Sequence, residues 1–320
     1  MIASKIVFLE VEPEDSEKVR QKFPTAKIEN MVLTEKEVWE KYPDTEILCG
    51  FIYSTFSKKL IKNLPNLKQI VTRSVGYDHI DLAAAMARKI KVCNVPDYGA
   101  HVIAEHVFAL LLSTIRCVSK GDNLVEECQF DFHGMRGIAL KGKTLGLIGT
   151  GKIGKNVARI ASLGFLMDVI AFDKFPDLES ARENHFQYVD NLDEIWEKSD
   201  IISLHVPLLP DTKHLICKDS ITKMKDGVIL INTARGGLIE TKSLILAARS
   251  EKIKYVALDV LEHEKNIRKY RELIELPNVV ITPHIAFYAD DSMNKMFSEA
   301  FASIDRFLNG EKLEHEVFGV

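Results

Sequence analysis

Residues 144–154 read Thr-Leu-Gly-Leu-Ile-Gly-Thr-Gly-Lys-Ile-Gly, a short apolar run that leads into glycines 149, 151 and 154 in the spacing G-x-G-x-x-G. The run has the length and composition of a buried strand, and helical spacing follows from about Lys155 to Leu163. A second apolar run, Asp168–Phe172, closes on Asp173, nineteen residues after Gly154. Strand, glycine turn, helix, strand and acid in this order form a dinucleotide-binding fingerprint. The glycines allow a tight turn and a close backbone approach to a pyrophosphate, whose charge the free N–H groups of the helix start stabilise. Asp173 stands where a carboxylate meets ribose hydroxyls. It accepts from both hydroxyls and repels a 2′-phosphate, so NAD is the expected cofactor rather than NADP.

Working outward, the same alternation fills the chain. Upstream, candidate strands at Lys5–Val11, Ile47–Phe51, Gln69–Thr72 and Lys91–Asn94 make one small α/β unit, and a largely apolar helix follows from about Ala100 to Val118. Downstream of the first two strands come IISLHV (201–206), VILINT (228–233), YVALDV (255–260) and VVIT (279–282), six in all for this region. Short apolar runs alternating with helical segments predict α/β architecture, with doubly wound parallel sheets covered by helices. The last segment, Ser292–Leu308, places Met296, Phe297, Ala300 and Ile304 on one face with Gly310 behind it. That amphipathic helix needs a partner surface.

Composition narrows the function. In 320 residues, 46% hydrophobic and 28% charged, there is material for two units of about 150 residues. The 42 Lys and Arg against 46 Asp and Glu give a net charge of −4 with no long run of one sign, which argues against nucleic acid. Met1–Leu9 lacks the pattern of a secretory signal, and the longest apolar run, Val107–Leu112, is too short for a bilayer. Five cysteines without a Cys-x-x-Cys fit neither a disulfide framework nor a metal site, so a reducing cytoplasm is expected and no metal is.

In a doubly wound sheet ligands lie at the carboxyl ends of the strands. There the chain carries His205-Val206-Pro207, Thr233-Ala234-Arg235, Asp259 followed by Glu262 and Glu264, and Thr282-Pro283-His284. An arginine, carboxylates and a histidine are the parts needed to reduce a carbonyl acid: a fork for its carboxylate, a proton donor for its oxygen, and a group that keeps the donor charged. Spacing alone leaves Glu262 and Glu264 in competition, since a charged loop is the ordinary setting for Glu262-His263-Glu264.

These motifs resemble the D-isomer-specific 2-hydroxyacid dehydrogenases over nearly the whole chain: RSVGYDHID (73–81), NVPDYGAHVIAEH (94–106), GLIGTGKIG (146–154), HVPLLPDT (205–212), INTARGGLIE (231–240), LDVLEHE (258–264) and TPHIAFY (282–288). Ala-Phe-Tyr in the last motif is most similar to the D-lactate dehydrogenase branch. The resemblance implies a Rossmann-type NAD-binding domain, residues 99–291, inserted into a smaller flavodoxin-like substrate domain, residues 1–98 and 292–320. It also implies hinges near 98–99 and 289–291 and a homodimer in which the helix Ala100–Val118 takes part.

For the site the resemblance implies catalysis by Arg235, Glu264 and His284, and substrate contacts from Val75, Gly76, Tyr98 and Arg235. Its cofactor contacts fall at Gly149, Gly151, Lys152, Ile153, Gly154, Asp173, His205, Val206, Pro207, Thr212, Thr233, Ala234 and Asp259. Lys265 departs from the family habit of proline after the catalytic glutamate. The expected reaction is hydride transfer between NAD and a small 2-oxo acid, most simply pyruvate and D-lactate. Phe51, Tyr53, Tyr98 and Tyr288 suggest a small, partly aromatic pocket. Alternatives are a hydroxypyruvate or glyoxylate reductase, a short D-3-phosphoglycerate dehydrogenase, and an NAD(H)-sensing binding module. Glu264 argues against a formate dehydrogenase, in which a neutral glutamine stands beside the histidine.

Overall fold

A computed structural model describes residues 5–318 and divides the chain into two compact units. One comprises the residues up to Tyr98 with those from Ala289 onward, and the other is Gly99–Tyr288. The second boundary falls at Ala289 rather than Ser292, because the last helix already begins at Asp290.

The first unit holds strands Ile6–Phe8 (β1), Lys27–Ile28 (β2), Ile47–Gly50 (β3), Gln69–Thr72 (β4) and Lys91–Cys93 (β5), all parallel in the order β2-β1-β3-β4-β5. This is the flavodoxin-like order, whose switch point lies between β1 and β3. Buried Ile, Val and Leu on every central strand leave no polar face, as a parallel sheet covered on both sides requires. The helix Asp290–Asn309 buries Met296, Phe297, Ala300 and Ile304 in this unit and ends on Gly310, whose φ of +70° makes the left-handed cap.

The second unit holds Thr144–Ile148 (β6), Asp168–Phe172 (β7), Gln187–Tyr188 (β8), Ile201–Leu204 (β9), Val228–Asn232 (β10), Ile253–Leu258 (β11) and Val279–Ile281 (β12). All pairs are parallel, in the order β12-β11-β10-β9-β6-β7-β8. Counted from β6 this is the Rossmann order 3-2-1-4-5-6 with a seventh strand added at the far edge. Seven strands are present where six were expected, and the unexpected one is the two-residue β8, third strand of that order; the extra edge strand β12 was expected. β9 stops at Leu204, so His205 and Val206 lie beyond the sheet. The apolar helix runs Ala100–Ile115 and stops short of Val118, because Cys117 adopts φ +55° and a separate helix, Val118–Glu126, begins. Among the described residues no single helix is long and apolar enough to cross a membrane.

Candidate active site

β6 delivers the chain to Gly149 at φ +95°, where a Cβ would lie 2.6 Å from the carbonyl oxygen of His205. Only glycine combines that backbone with that clearance. The helix then begins at Lys152, three residues earlier than its spacing suggests, with Gly151 as an N-cap that makes no side-chain hydrogen bond. On Gly151 a Cβ would meet nothing within 4 Å. The helix start is thus uncapped by side chains and uncrowded, a cradle that fits a pyrophosphate. Gly151 and Lys152 are exposed, Ile153 is half-buried on the core and Gly154 is buried beneath the turn.

Asp173 follows β7 directly. Its Oδ2 accepts from Thr150 N at 2.7 Å and Thr150 Oγ1 at 3.0 Å, and its Oδ1 from Phe175 N at 2.9 Å. Thr150 Oγ1 is also 2.7 Å from the Tyr188 hydroxyl. The carboxylate therefore ties the glycine loop to the end of β7, and its two oxygens, with about four acceptor positions, keep capacity for a ribose hydroxyl. Sequence reasoning passed over Thr150 and Tyr188; the variable position of a glycine motif carries no signal of its own.

Beyond β9, His205 Nε2 is 2.9 Å from Ser203 Oγ, and burial pushes its imidazole down to about 4, so the ring is neutral at pH 7. Val206 packs on the core and Pro207 is exposed. Thr212 Oγ1 donates to Pro207 O at 2.6 Å and accepts from Leu209 N at 2.8 Å, closing the loop on itself.

Beyond β10, Thr233 Oγ1 is buried without a hydrogen-bond partner. The fully buried Asn232 shapes the next turn, accepting from Ala234 N and donating to Arg235 O, both at 2.9 Å. Arg235 Nη1 donates to Ala234 O at 2.8 Å. Asn232 was also missed, although an amide ending the run Val-Ile-Leu-Ile is a legible sign of a buried polar task.

After β11, Glu262, His263 and Glu264 take separate paths. Glu264 is paired with His284, whose Nδ1 is 3.1 and 3.0 Å from its two oxygens. Glu262 turns instead to His214, and His263 is exposed. His284 itself has φ +57°, and its N–H donates to Asp259 O at 2.9 Å.

The side chain of Asp259 has no exposed surface. It accepts from Thr282 Oγ1 at 2.5 Å and from Ile285 N and Ala286 N at 2.9 Å each, with His106 Nε2 at 3.5 Å. Burial alone raises this carboxyl, but the bonds from His106, Thr282, Ala286 and Ile285 outweigh it and hold it below the usual range. The carboxylate of Asp259 is thus enclosed and clamps the His284 turn. His106 in the helix Ala100–Ile115 belongs to that clamp, a role no local pattern reveals.

In the first unit, Val75 is 40% exposed, Ser74 Oγ donates to Gly76 O at 2.6 Å, and Asn94 Nδ2 to Val75 O at 2.8 Å. Tyr98 and Phe51 are buried there and Tyr53 is half-buried, while Tyr288 in the second unit is exposed. Among the described residues no cluster of His, Cys, Asp or Glu is arranged to hold a metal ion.

Residues 108–286, more than half of the chain, match the family model of the D-isomer specific 2-hydroxyacid dehydrogenase, NAD binding domain. The chain belongs to this family. A 2-hydroxyacid dehydrogenase homolog of Zymomonas mobilis is 36% identical over 275 residues, 82% of this chain and 83% of the relative. An aromatic 2-oxoacid reductase of Clostridium sporogenes is 38% identical over 253 residues, 75% of this chain and 76% of that one. Among solved structures, D-lactate dehydrogenase of Aquifex aeolicus complexed with NAD and lactic acid superposes with a TM-score of 0.88 at 33% identity, covering 98% of this chain and 99% of its own. This 2-hydroxyacid dehydrogenase is accordingly an NAD-dependent oxidoreductase of D-2-hydroxy acids, and the glycine cradle with Asp173 suits that cofactor.

Proposed function

We propose that this dehydrogenase interconverts pyruvate and D-lactate, with Arg235, Glu264 and His284 as its catalytic residues. The observation that carries the triad is the Glu264–His284 pair, 3.0 Å apart beside the turn that bears the histidine. Likeness to a D-lactate dehydrogenase complexed with NAD and lactic acid supports the substrate. When bound, NADH supplies the hydride for the keto carbon. The planar guanidinium of Arg235 offers two parallel donors to the substrate carboxylate, which a lysine does not reproduce. With Nδ1 engaged by Glu264, His284 carries its transferable proton at Nε2, gives it to the carbonyl oxygen in reduction and takes it back in oxidation. Glu264 stabilises the imidazolium and fixes the ring.

The cofactor contacts are assigned to Gly149, Gly151, Lys152, Ile153, Gly154, Asp173, His205, Val206, Pro207, Thr212, Thr233 and Ala234, with Asp259 acting behind them. In the first unit Val75, Gly76 and Tyr98 are assigned to the substrate on the family resemblance. The working form is a homodimer, supported by Phe130 and Phe132, which stand 96% and 79% exposed. Its five unpaired thiols suit a reducing cytoplasm.

The test is a substrate panel followed by NADH absorbance: pyruvate, glyoxylate, hydroxypyruvate, 2-oxoisocaproate and phenylpyruvate. Pyruvate should have the highest kcat/KM, and D-lactate but not L-lactate should reduce NAD. A higher kcat/KM with any other acid overturns the assignment of pyruvate, and no turnover at all overturns the catalytic reading.

A further inference from the structure

Glu262, the acid that does not meet His284, has a partner of its own. Its Oε1 is 2.7 Å from His214 Nε2, and its Oε2 accepts from Thr241 N at 3.2 Å and from the Thr241 hydroxyl. Burial disfavours the charge, yet the bonds from Thr241 and His214 outweigh it and leave the carboxyl below its usual range. His214 is committed by its backbone as well. It holds φ +53°, and its N–H donates to Gly237 O at 2.9 Å, while Ile216 N donates to Leu238 O at 3.0 Å. Gly237 is the second residue after Arg235.

The other side of the same turn is pressed on Glu262 itself. A Cβ on Gly236 would lie 1.9 Å from Leu261 C and 2.4 Å from Glu262 N, so the residue after Arg235 packs directly on this backbone. Leu261 N in turn points to Glu264 Oε1 at 3.4 Å. Three loops therefore meet at one ring–carboxylate pair: the loop after β9, the loop after β10 that carries Arg235, and the loop after β11 that carries Glu264.

We infer that His214 and Glu262 are positioning residues that hold the Arg235 turn in register with Glu264. Neither touches the reacting atoms. Asn232 braces the Arg235 turn on its near side, and the pair braces the flexible Gly236-Gly237 side. The inference rests on the proposed role of Arg235 as the carboxylate anchor.

The experiment compares Glu262→Ala, His214→Ala, their double variant and Arg235→Lys in the full chain, measuring kcat and the KM of both pyruvate and NADH. Each single alanine variant should raise the pyruvate KM about tenfold while kcat changes less than about threefold and the NADH KM stays put. The double variant should be no worse than Glu262→Ala, because both break one lock. Glu262→Gln, which keeps an acceptor for Thr241, should recover part of the loss. A pyruvate KM within about twofold of wild type, or effects that multiply in the double variant, overturns the inference. A raised KM in Arg235→Lys with none in Glu262→Ala overturns positioning alone; no change in Arg235→Lys overturns the anchor role and the inference with it. If Glu262→Ala does not fold, His214→Ala and His214→Gln are read by the same criteria.

Discussion

The imidazole Nδ1 of His284 is held between the two carboxylate oxygens of Glu264, at 3.1 and 3.0 Å. A symmetric contact of this kind stabilises the protonated ring and blocks its rotation. Replacing the charge while keeping the shape isolates the effect. Glu264→Gln should lower kcat for 2-oxo acid reduction about 10- to 100-fold, with the pyruvate KM little moved. His284→Ala should cost about 10²- to 10⁴-fold in kcat. An unchanged kcat in His284→Ala removes the histidine from proton transfer.

Asp259 makes a second prediction. In Asp259→Asn the amide nitrogen replaces one carboxylate oxygen and so faces the N–H of either Ile285, which now bonds Oδ1, or Ala286, which now bonds Oδ2. Leaving one such donor unmet and losing a buried charge-assisted bond should cost about 2–4 kcal/mol of stability, with a fall in kcat as the His284 turn loosens. Thermal unfolding of the apoprotein measures the first effect. A melting temperature equal to wild type refutes the clamp.

Cofactor choice is a third. A 2′-phosphate about 4 Å from Asp173 at an effective dielectric near 20 costs roughly 4 kcal/mol, or about a thousandfold in favour of NAD. Asp173→Ser should narrow that gap. It should also weaken NAD itself, since the variant loses the bonds that hold Thr150 and the glycine loop. Comparable Michaelis constants for the two cofactors in the wild-type enzyme contradict the assignment.

The half-buried His205 predicts a pH dependence of stability. Its folded imidazole titrates at about 4 against an ordinary 6.5. Between those values the unfolded chain binds a proton that the folded chain refuses, so unfolding becomes easier as pH falls. Its stabilising contribution is complete above about pH 6.5 and disappears toward about pH 4, a loss of about 1–3 kcal/mol given its partial exposure. Urea titrations across that window should show the slope, and His205→Gln should flatten it.

Much of the fold was legible because, among the described residues, ten of the twelve strands are largely apolar runs of three to six residues. The two that were not, Lys27–Ile28 and Gln187–Tyr188, are two-residue edge strands, too short to show a period and bordered by polar side chains. The break at Cys117 was hidden because apolar spacing runs through it while the backbone turns left-handed. At the site, Arg235, Glu264 and His284 were placed by strand ends and family likeness. The clamp of Asp259, His106 and Thr282, and the lock of His214 and Glu262, were not. Each joins residues far apart in the chain, and no local pattern records which buried acid will meet which donor.

The left-handed backbone at His284 has a consequence for descent. That conformation stores about 1 kcal/mol or more in a non-glycine residue, and glycine or asparagine would relieve it. Stability and chemistry thus pull this one position in opposite directions. A lineage that kept the scaffold and abandoned the reaction would feel only the first pull. Such a descendant should carry glycine or asparagine at position 284 above an unchanged Asp259, a mark by which silent members of the family can be told from working ones.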